Sequence, residues 1–247
     1  MASSPWVAGC FSLEDVRASA ANTSLLWGMN TFLLRNPSSF DTVPGSRRLS
    51  PMSPEALEEG LLNGTMVLND AAAAWPRIFA VVRAATRTFR VPANANAYIT
   101  HRSLERSTPL HTDRQDVLIL QCQGHKHWEV YKPLIESPLG HNIRGKDGDR
   151  IEDAEVGLPL LEGTLSPGNL LYVPRGFVHR TAQPPADLPE AEFSVSLTVG
   201  LQVESMGFSY DKLLLCAMNL YGVGPSALEL QALSDQNQLL RRDLPMP

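Results

Sequence analysis

The chain has 247 residues, 43% of them hydrophobic and 19% charged, with a net charge of -5. That composition suits one globular domain with a sizeable core, and the acidic balance gives no basic footprint for direct nucleic-acid binding. No stretch approaches a membrane span, and Cys10, Cys122 and Cys216 show no CxxC spacing, which argues against a disulfide framework and for an intracellular compartment, cytoplasmic or nuclear.

The opening MASSPWVAGCFSLEDV has no basic region ahead of an apolar core, so it does not read as a secretory signal. Residues 12–36 predict one short helix and an outer strand over 25–34, and residues 37–54, rich in Ser, Pro and Arg, predict a surface loop. Ser53 followed by Pro54 has the form of a helix N-cap, and the helix that it starts should stop near Asn63-Gly64. A strand over 65–68 follows. The next helix, from Ala71 or Pro76 to Phe89, carries Ile78, Phe79, Val82, Ala85 and Phe89 at helical spacing towards a sheet, with Arg83, Arg87 and Arg90 towards solvent.

Residues 94–100 alternate Asn94, Asn96, Tyr98 and Thr100 with Ala95, Ala97 and Ile99, so one face of this strand should see water or a polar cavity. The first chemistry comes in TPLHTDRQDVLILQCQGHKHWEVY, residues 108–131. His111 and Asp113 stand two apart in a segment expected to be extended, which sets an imidazole and a carboxylate on one face. After a buried strand over 117–120 and a break at Gln123-Gly124, a second strand puts Lys126, Trp128 and Val130 on one face and His127, Glu129 and Tyr131 on the other. An ammonium on the Trp and Val face is costly unless an anion meets it.

Residues 135–155 are polar and Gly-rich and predict an exposed, mobile insertion; a strand over 158–165 follows. The stretch SPGNLLYVPRGFVHRT, residues 166–181, then offers a turn, a short apolar strand over 170–173, a second turn at Pro174-Arg175-Gly176, and His179. Two histidines and one aspartate form the facial triad of non-haem Fe(II) oxygenases, with coordination positions left open. The plainer reading is a buried His bonded to an Asp, with His179 capping a loop. Asp116 reads either as a carboxylate that orients a ligand or as a turn acid. A last strand over 193–203 precedes a tail with two amphipathic helices, about 210–221 and 225–240.

The ordered set NANAYIT, PLHTDRQDV, GHKHWEVY, PGNLLYVPRGFVH and SVSLTVGL, spanning roughly residues 60–202, resembles the JmjC/cupin family of Fe(II) and 2-oxoglutarate dioxygenases. Within it the nearest branch is the ribosomal oxygenase type, which hydroxylates His or Arg side chains of ribosomal proteins. The resemblance implies a mainly β fold with flanking helices, a double-stranded β-helix of the cupin or jelly-roll JmjC kind. Residues 1–60 would be a helical and strand extension, 61–204 the barrel, and 205–247 a helical tail able to pair two copies as a homodimer. It further implies Fe(II) on His111, Asp113 and His179, with 2-oxoglutarate and O2 as co-substrates and Lys126 paired with the distal carboxylate. Asn96 and Tyr98, which match an N-x-Y pattern, and Ser194, Ser196 or Thr198 are the next candidates for hydrogen bonds to that carboxylate.

The implied reaction is hydroxylation of a protein side chain in a ribosomal protein or a histone, and on an N-methyl lysine it becomes demethylation. About 37 residues follow Tyr210, too few for both the dimerisation region and the winged helix of that branch. A small molecule or a modified nucleobase therefore stays open as substrate, and a non-catalytic metal-binding cupin module is the alternative from another class.

Overall fold

The computed structural model describes residues 2–22, 25–34, 50–104, 106–136, 143–145, 149–186, 188 and 191–202. The tail helices, Cys216 and His141 lie outside the described residues.

In chain order the elements are β1 (Ala2–Ser3), α1 (Leu13–Ala21), β2 (Leu26–Trp27), β3 (Thr31–Leu34), β4 (Ser50–Pro51), α2 (Pro54–Asn63) and β5 (Thr65–Leu68). A 3-10 turn at Ala71–Ala73 leads to α3 (Pro76–Phe89), β6 (Ala93–His101), β7 (Arg106–His111), β8 (Asp116–Gln123) and β9 (Lys126–Pro133). After a second 3-10 turn at Asp153–Glu155 come β10 (Leu161–Leu165), β11 (Asn169–Val173), β12 (Phe177–Ala182) and β13 (Phe193–Leu201). Nine strands form one sheet in the order β1-β11-β8-β13-β6-β5-β3-β2-β4, and four form another in the order β10-β9-β12-β7. Residues from both sheets line one cavity between them. This is the two-sheet jelly-roll arrangement expected from the sequence.

The helices begin where the sequence signals them. The side chains of Ser12 and Asp15 each accept from the other's backbone N–H at the start of α1, and Ser53 Oγ accepts from Ala56 N at 3.2 Å with Pro54 behind it. The core of the large sheet takes Val16, Leu57 and Leu61 from α1 and α2 together with Ile78, Val82, Ile99 and Leu197. Helices from both sides of residue 60 therefore pack into one apolar cluster. Free thiols Cys10 and Cys122, 3.4 Å apart, lie where the N-terminal segment crosses β8.

Four expectations change. On α3 the buried residues are Ile78, Val81, Val82 and Ala85, whereas Phe79 is 54% exposed and Phe89 40%. Successive helix residues turn by about 100°, which carries Phe79 off the arc centred between Ile78 and Val82. Strand β7 ends at His111, so Asp113 sits in the turn beyond it. The predicted strand over 158–165 starts only at Leu161, and Leu158 is 91% exposed. Finally, the described part of the 135–155 insertion is tied down: Ile151 is 7% exposed and packs with Leu110, Tyr131 and Val178.

Candidate metal centre and cofactor pocket

The small sheet brings the first site together. β12 runs antiparallel to β7 with His179 directly opposite His111, and their ring centroids lie 4.2 Å apart. Both imidazoles are fixed in the same way. His111 Nδ1 is 2.8 Å from the Pro109 carbonyl and His179 Nδ1 is 3.0 Å from the Phe177 carbonyl. A carbonyl only accepts, so each Nδ1 carries the proton, and in the neutral ring the lone pair is then on Nε2. Asp113 Oδ2 lies 3.4 Å from His179 Nε2, and one ligand atom from each of the three residues falls within 4.8 Å of the others.

Two turns flank these side chains, and they are bonded to each other. Gly176 N donates to Asp113 O at 3.0 Å. Asp116 uses both oxygens in the same join: Oδ1 accepts from Arg175 N at 2.9 Å and Oδ2 from the Tyr172 hydroxyl at 3.0 Å. Its carboxylate thus secures the turns beside the triad. Two tautomer-fixed imidazole nitrogens and one carboxylate oxygen fit a divalent metal with open positions, and the backbone partners of the imidazoles supply the orientation such ligands need.

Across the cavity stands Lys126, 4% exposed. Among the described residues its ammonium meets the Thr100 hydroxyl at 2.5 Å and no carboxylate. Burial pushes its pKa down to about 7. Thr100 in turn bonds Thr65 Oγ1 at 3.1 Å, and Thr65 donates to the Ser107 carbonyl. A second hydroxyl group of three joins Ser107, Thr181 and Thr108, with Thr181 Oγ1 2.8 Å from each of the others. Trp128 stacks on His179 at 5.8 Å between centroids, and its Nε1 has no hydrogen-bond partner among the described residues.

Of the candidates named from sequence, His111, Asp113, His179, Lys126, Tyr98 and Ser196 line this cavity, and Thr198 does too. Asn96 and Ser194 are not on its wall. Asn96 Oδ1 accepts from Asp70 N at 3.0 Å; Ser194 accepts from Gln121 Nε2 at 2.9 Å and lines a smaller cavity with Thr100 and Lys126. Burial, then the nearby Asp113 charge, pushes the Tyr98 pKa up, which keeps the phenol protonated as a donor.

Sequence reasoning missed Thr65, Thr108, Thr181, Val117 and Ile119 as cavity residues. Thr181 stands two residues after His179 in one strand, so period-two alternation from the ligand was a usable signal. Thr65 offered none, because β5 reaches the site only through its pairing with β6.

A model of the JmjC domain matches residues 76–206. Over 130 residues the chain is 38% identical to Ribosomal oxygenase 1 of Gallus gallus, covering 52% of this chain and 20% of that protein. It is 38% identical over 96 residues to Ribosomal oxygenase 2 of Bos taurus, covering 39% of this chain and 18% of that protein. With the bifunctional lysine-specific demethylase and histidyl-hydroxylase NO66 of Dictyostelium discoideum it shares 35% identity over 108 residues, 44% of this chain and 20% of that protein. The match thus spans about a fifth of the length of these relatives. The X-ray structure of E. coli ycfD superposes with a TM-score of 0.51 at 16% identity, over 88% of this chain and 53% of that one, a likeness of fold.

Proposed function

Since this chain belongs to the JmjC domain family, we propose that it is an Fe(II)- and 2-oxoglutarate-dependent oxygenase that hydroxylates a protein side chain. The observation that carries the reading is the pairing, in one cavity, of the His111, Asp113 and His179 ligand set with a buried Lys126 that lacks a carboxylate among the described residues. A dicarboxylate that reaches the metal at one end and the ammonium at the other satisfies both, and 2-oxoglutarate has that form.

Iron held by the triad would supply the O2 chemistry that converts 2-oxoglutarate to succinate and CO2 and places one oxygen atom in a substrate C–H bond. The remaining work falls to this chain. His111 and His179, fixed through Nδ1, present Nε2 to the metal, and Asp113 adds the carboxylate. Lys126 neutralises the distal carboxylate, with Tyr98, Ser196 and Thr198 as hydrogen-bond donors on the facing sheet. Asn96 acts behind Tyr98, and Ser194 behind Lys126. Val117, Ile119 and Trp128 exclude water from the reacting region.

The relatives' names, ribosomal oxygenase and lysine-specific demethylase and histidyl-hydroxylase, support two substrate classes: a ribosomal-protein side chain such as His, or a methylated lysine whose N-methyl carbon, once hydroxylated, is lost as formaldehyde. On the family reading the protein works inside the cell, in the cytoplasm or nucleus; no described helix is long and apolar enough to cross a membrane.

The test is succinate formation from 2-oxoglutarate with Fe(II) and ascorbate, in the wild type and in His111→Ala and Lys126→Ala. Turnover by the wild type alone is expected, rising with ribosomal-protein or histone peptides over free amino acids and nucleosides. A wild type that neither turns over nor binds Mn(II) or 2-oxoglutarate sinks the reading.

A further inference from the structure

The metal ligand His111 is pressed by a glycine from outside the two sheets. Gly145 has φ +73°, and a Cβ there would stand 2.8 Å from His111 Cα and 3.3 Å from its Cβ. No side chain fits between them. One residue on from His111, the Thr112 hydroxyl donates to the Arg144 carbonyl at 2.7 Å, so the peptide beside Gly145 is bonded to the residue between the two first ligands.

Arg144 and Gly145 are themselves held. Asp149 Oδ2 accepts from Gly145 N at 2.8 Å and from Arg144 Nε at 2.7 Å, and Arg144 Nη2 reaches Glu155 at 3.1 Å and the Arg150 carbonyl at 3.3 Å. Further along, Ile151 packs against Leu110 and Val178, the residues immediately before His111 and His179. Asp153 pairs with Arg180, the residue immediately after His179, and Arg180 also binds Glu129 at 2.7 Å. Each anchor thus lands next to a ligand.

We propose that residues 143–145 and 149–156 form a brace that sets the position of His111 and Asp113 for metal binding, with Arg144 and Thr112 as positioning residues. The inference rests on the metal-site reading above. The interactions that bear on the ligands are the Gly145 contact and the Thr112 hydrogen bond; the Arg144, Asp149 and Glu155 group keeps those two in register. Outer partners of metal ligands act in this way by fixing ligand orientation ahead of binding, and losing one weakens metal affinity about 10–100-fold.

The experiment measures Mn(II) affinity by calorimetry, the visible absorption spectrum of the Co(II) form, and the melting temperature of the metal-free protein. The variants are Thr112→Val, Thr112→Ser, Gly145→Ala and Arg144→Ala. Expected is a loss of Mn(II) affinity of about 10–100-fold in Thr112→Val and Gly145→Ala, with an altered Co(II) spectrum and recovery of both in Thr112→Ser. If Gly145→Ala does not fold, Thr112→Val and Arg144→Ala carry the comparison. Wild-type affinity and spectrum in Thr112→Val overturn the brace while leaving the metal site standing, as does equal loss in Thr112→Ser. A wild type that binds no Mn(II) overturns the metal reading and the brace together.

Discussion

At Lys126 the protein buries a cation whose ordinary pKa near 10.5 falls to about 7 because the charged form is desolvated. The unfolded chain keeps its proton up to that ordinary value. Between about pH 7 and 10.5 the unfolded state therefore holds more protons than the folded one, and stability rises with pH across that window. Below pH 7 the charge is present in both states and its burial counts fully against folding. Replacing the ammonium by an apolar side chain of similar length, Lys126→Met, should raise stability by about 1–4 kcal/mol at pH 6, as is common when a buried charge gives way to a packed apolar group. Chemical denaturation checks this; a lower stability would mean that Thr100 compensates the charge well. A bound dicarboxylate reverses the balance, since its carboxylate holds the proton on Lys126. 2-Oxoglutarate affinity should then weaken as pH rises above 7, by up to about tenfold per unit, and calorimetric titration at pH 6.5 and 8.5 would show it. In Lys126→Met this slope disappears. His111, Asp113 and His179 could be picked out by their residue types and the order of their motifs, and this lysine because an ammonium is conspicuous on the apolar face of a strand. The threonines around them, Thr65, Thr100 and Thr181, were not, since a threonine in a strand looks the same whether it bonds a neighbour or merely fills the sheet.

Among the elements, α3 separates what a pattern can say from what a surface decides. The sequence left its start at Ala71 or Pro76 and its end at Phe89; the helix begins at Pro76 and closes on a left-handed Arg90, yet its inward face was assigned partly to the wrong residues. Five apolar residues outnumbered the positions that β6 and β13 can cover, and spacing alone favours the larger side chain. Contact with the sheet went to Val81, leaving Phe79 half in water. Phe79→Ser should therefore change stability by no more than about 0.5 kcal/mol, while Ile78→Ala costs about 2–5 kcal/mol. Urea melts of both variants test the assignment, and a large loss in Phe79→Ser would restore the sequence reading. The turn between β8 and β9 is stricter. Gly124 has φ +61°, and a Cβ there would lie 2.1 Å from the Phe193 carbonyl oxygen. Gly124→Ala must displace β13 or the turn, and a loss of about 2 kcal/mol or more is expected in the same melts. A wild-type melt from that variant would show that the hairpin end is loose.

Over the whole molecule, the stretch that matches the JmjC domain and the unit that folds are different lengths of chain. The match begins at residue 76, but β2, β3 and β4 extend the same sheet beyond β5, and α1 and α2 pack into its core. The barrel motifs were readable in order because each lies within one or two neighbouring strands. The outer strands were readable only in part: one strand was expected over 25–34, where two short ones, β2 and β3, pair in parallel with Trp27 opposite Thr31, and β4 is two residues in a Ser- and Pro-rich region with no alternation. The energetic share of the first 60 residues is nevertheless large. Phe11, Leu25, Leu33, Met52 and Leu57 are among the most completely buried side chains, and each contributes about 1.5–3 kcal/mol by leaving water. Together these five rival the roughly 5–15 kcal/mol that separates a folded domain from its unfolded chain. Cutting the chain to residues 61–247 also bares the edge of β5 that β3 covers. That fragment should lose its cooperative thermal transition and, with it, Mn(II) binding, because the small sheet that carries His111 and His179 closes its cavity against the large sheet that this core supports. Scanning calorimetry and a Mn(II) titration on the fragment beside the full chain decide it. A cooperative melt with retained metal binding would show that the barrel closes without residues 1–60, and that the burial of Phe11 and its neighbours serves the extension alone.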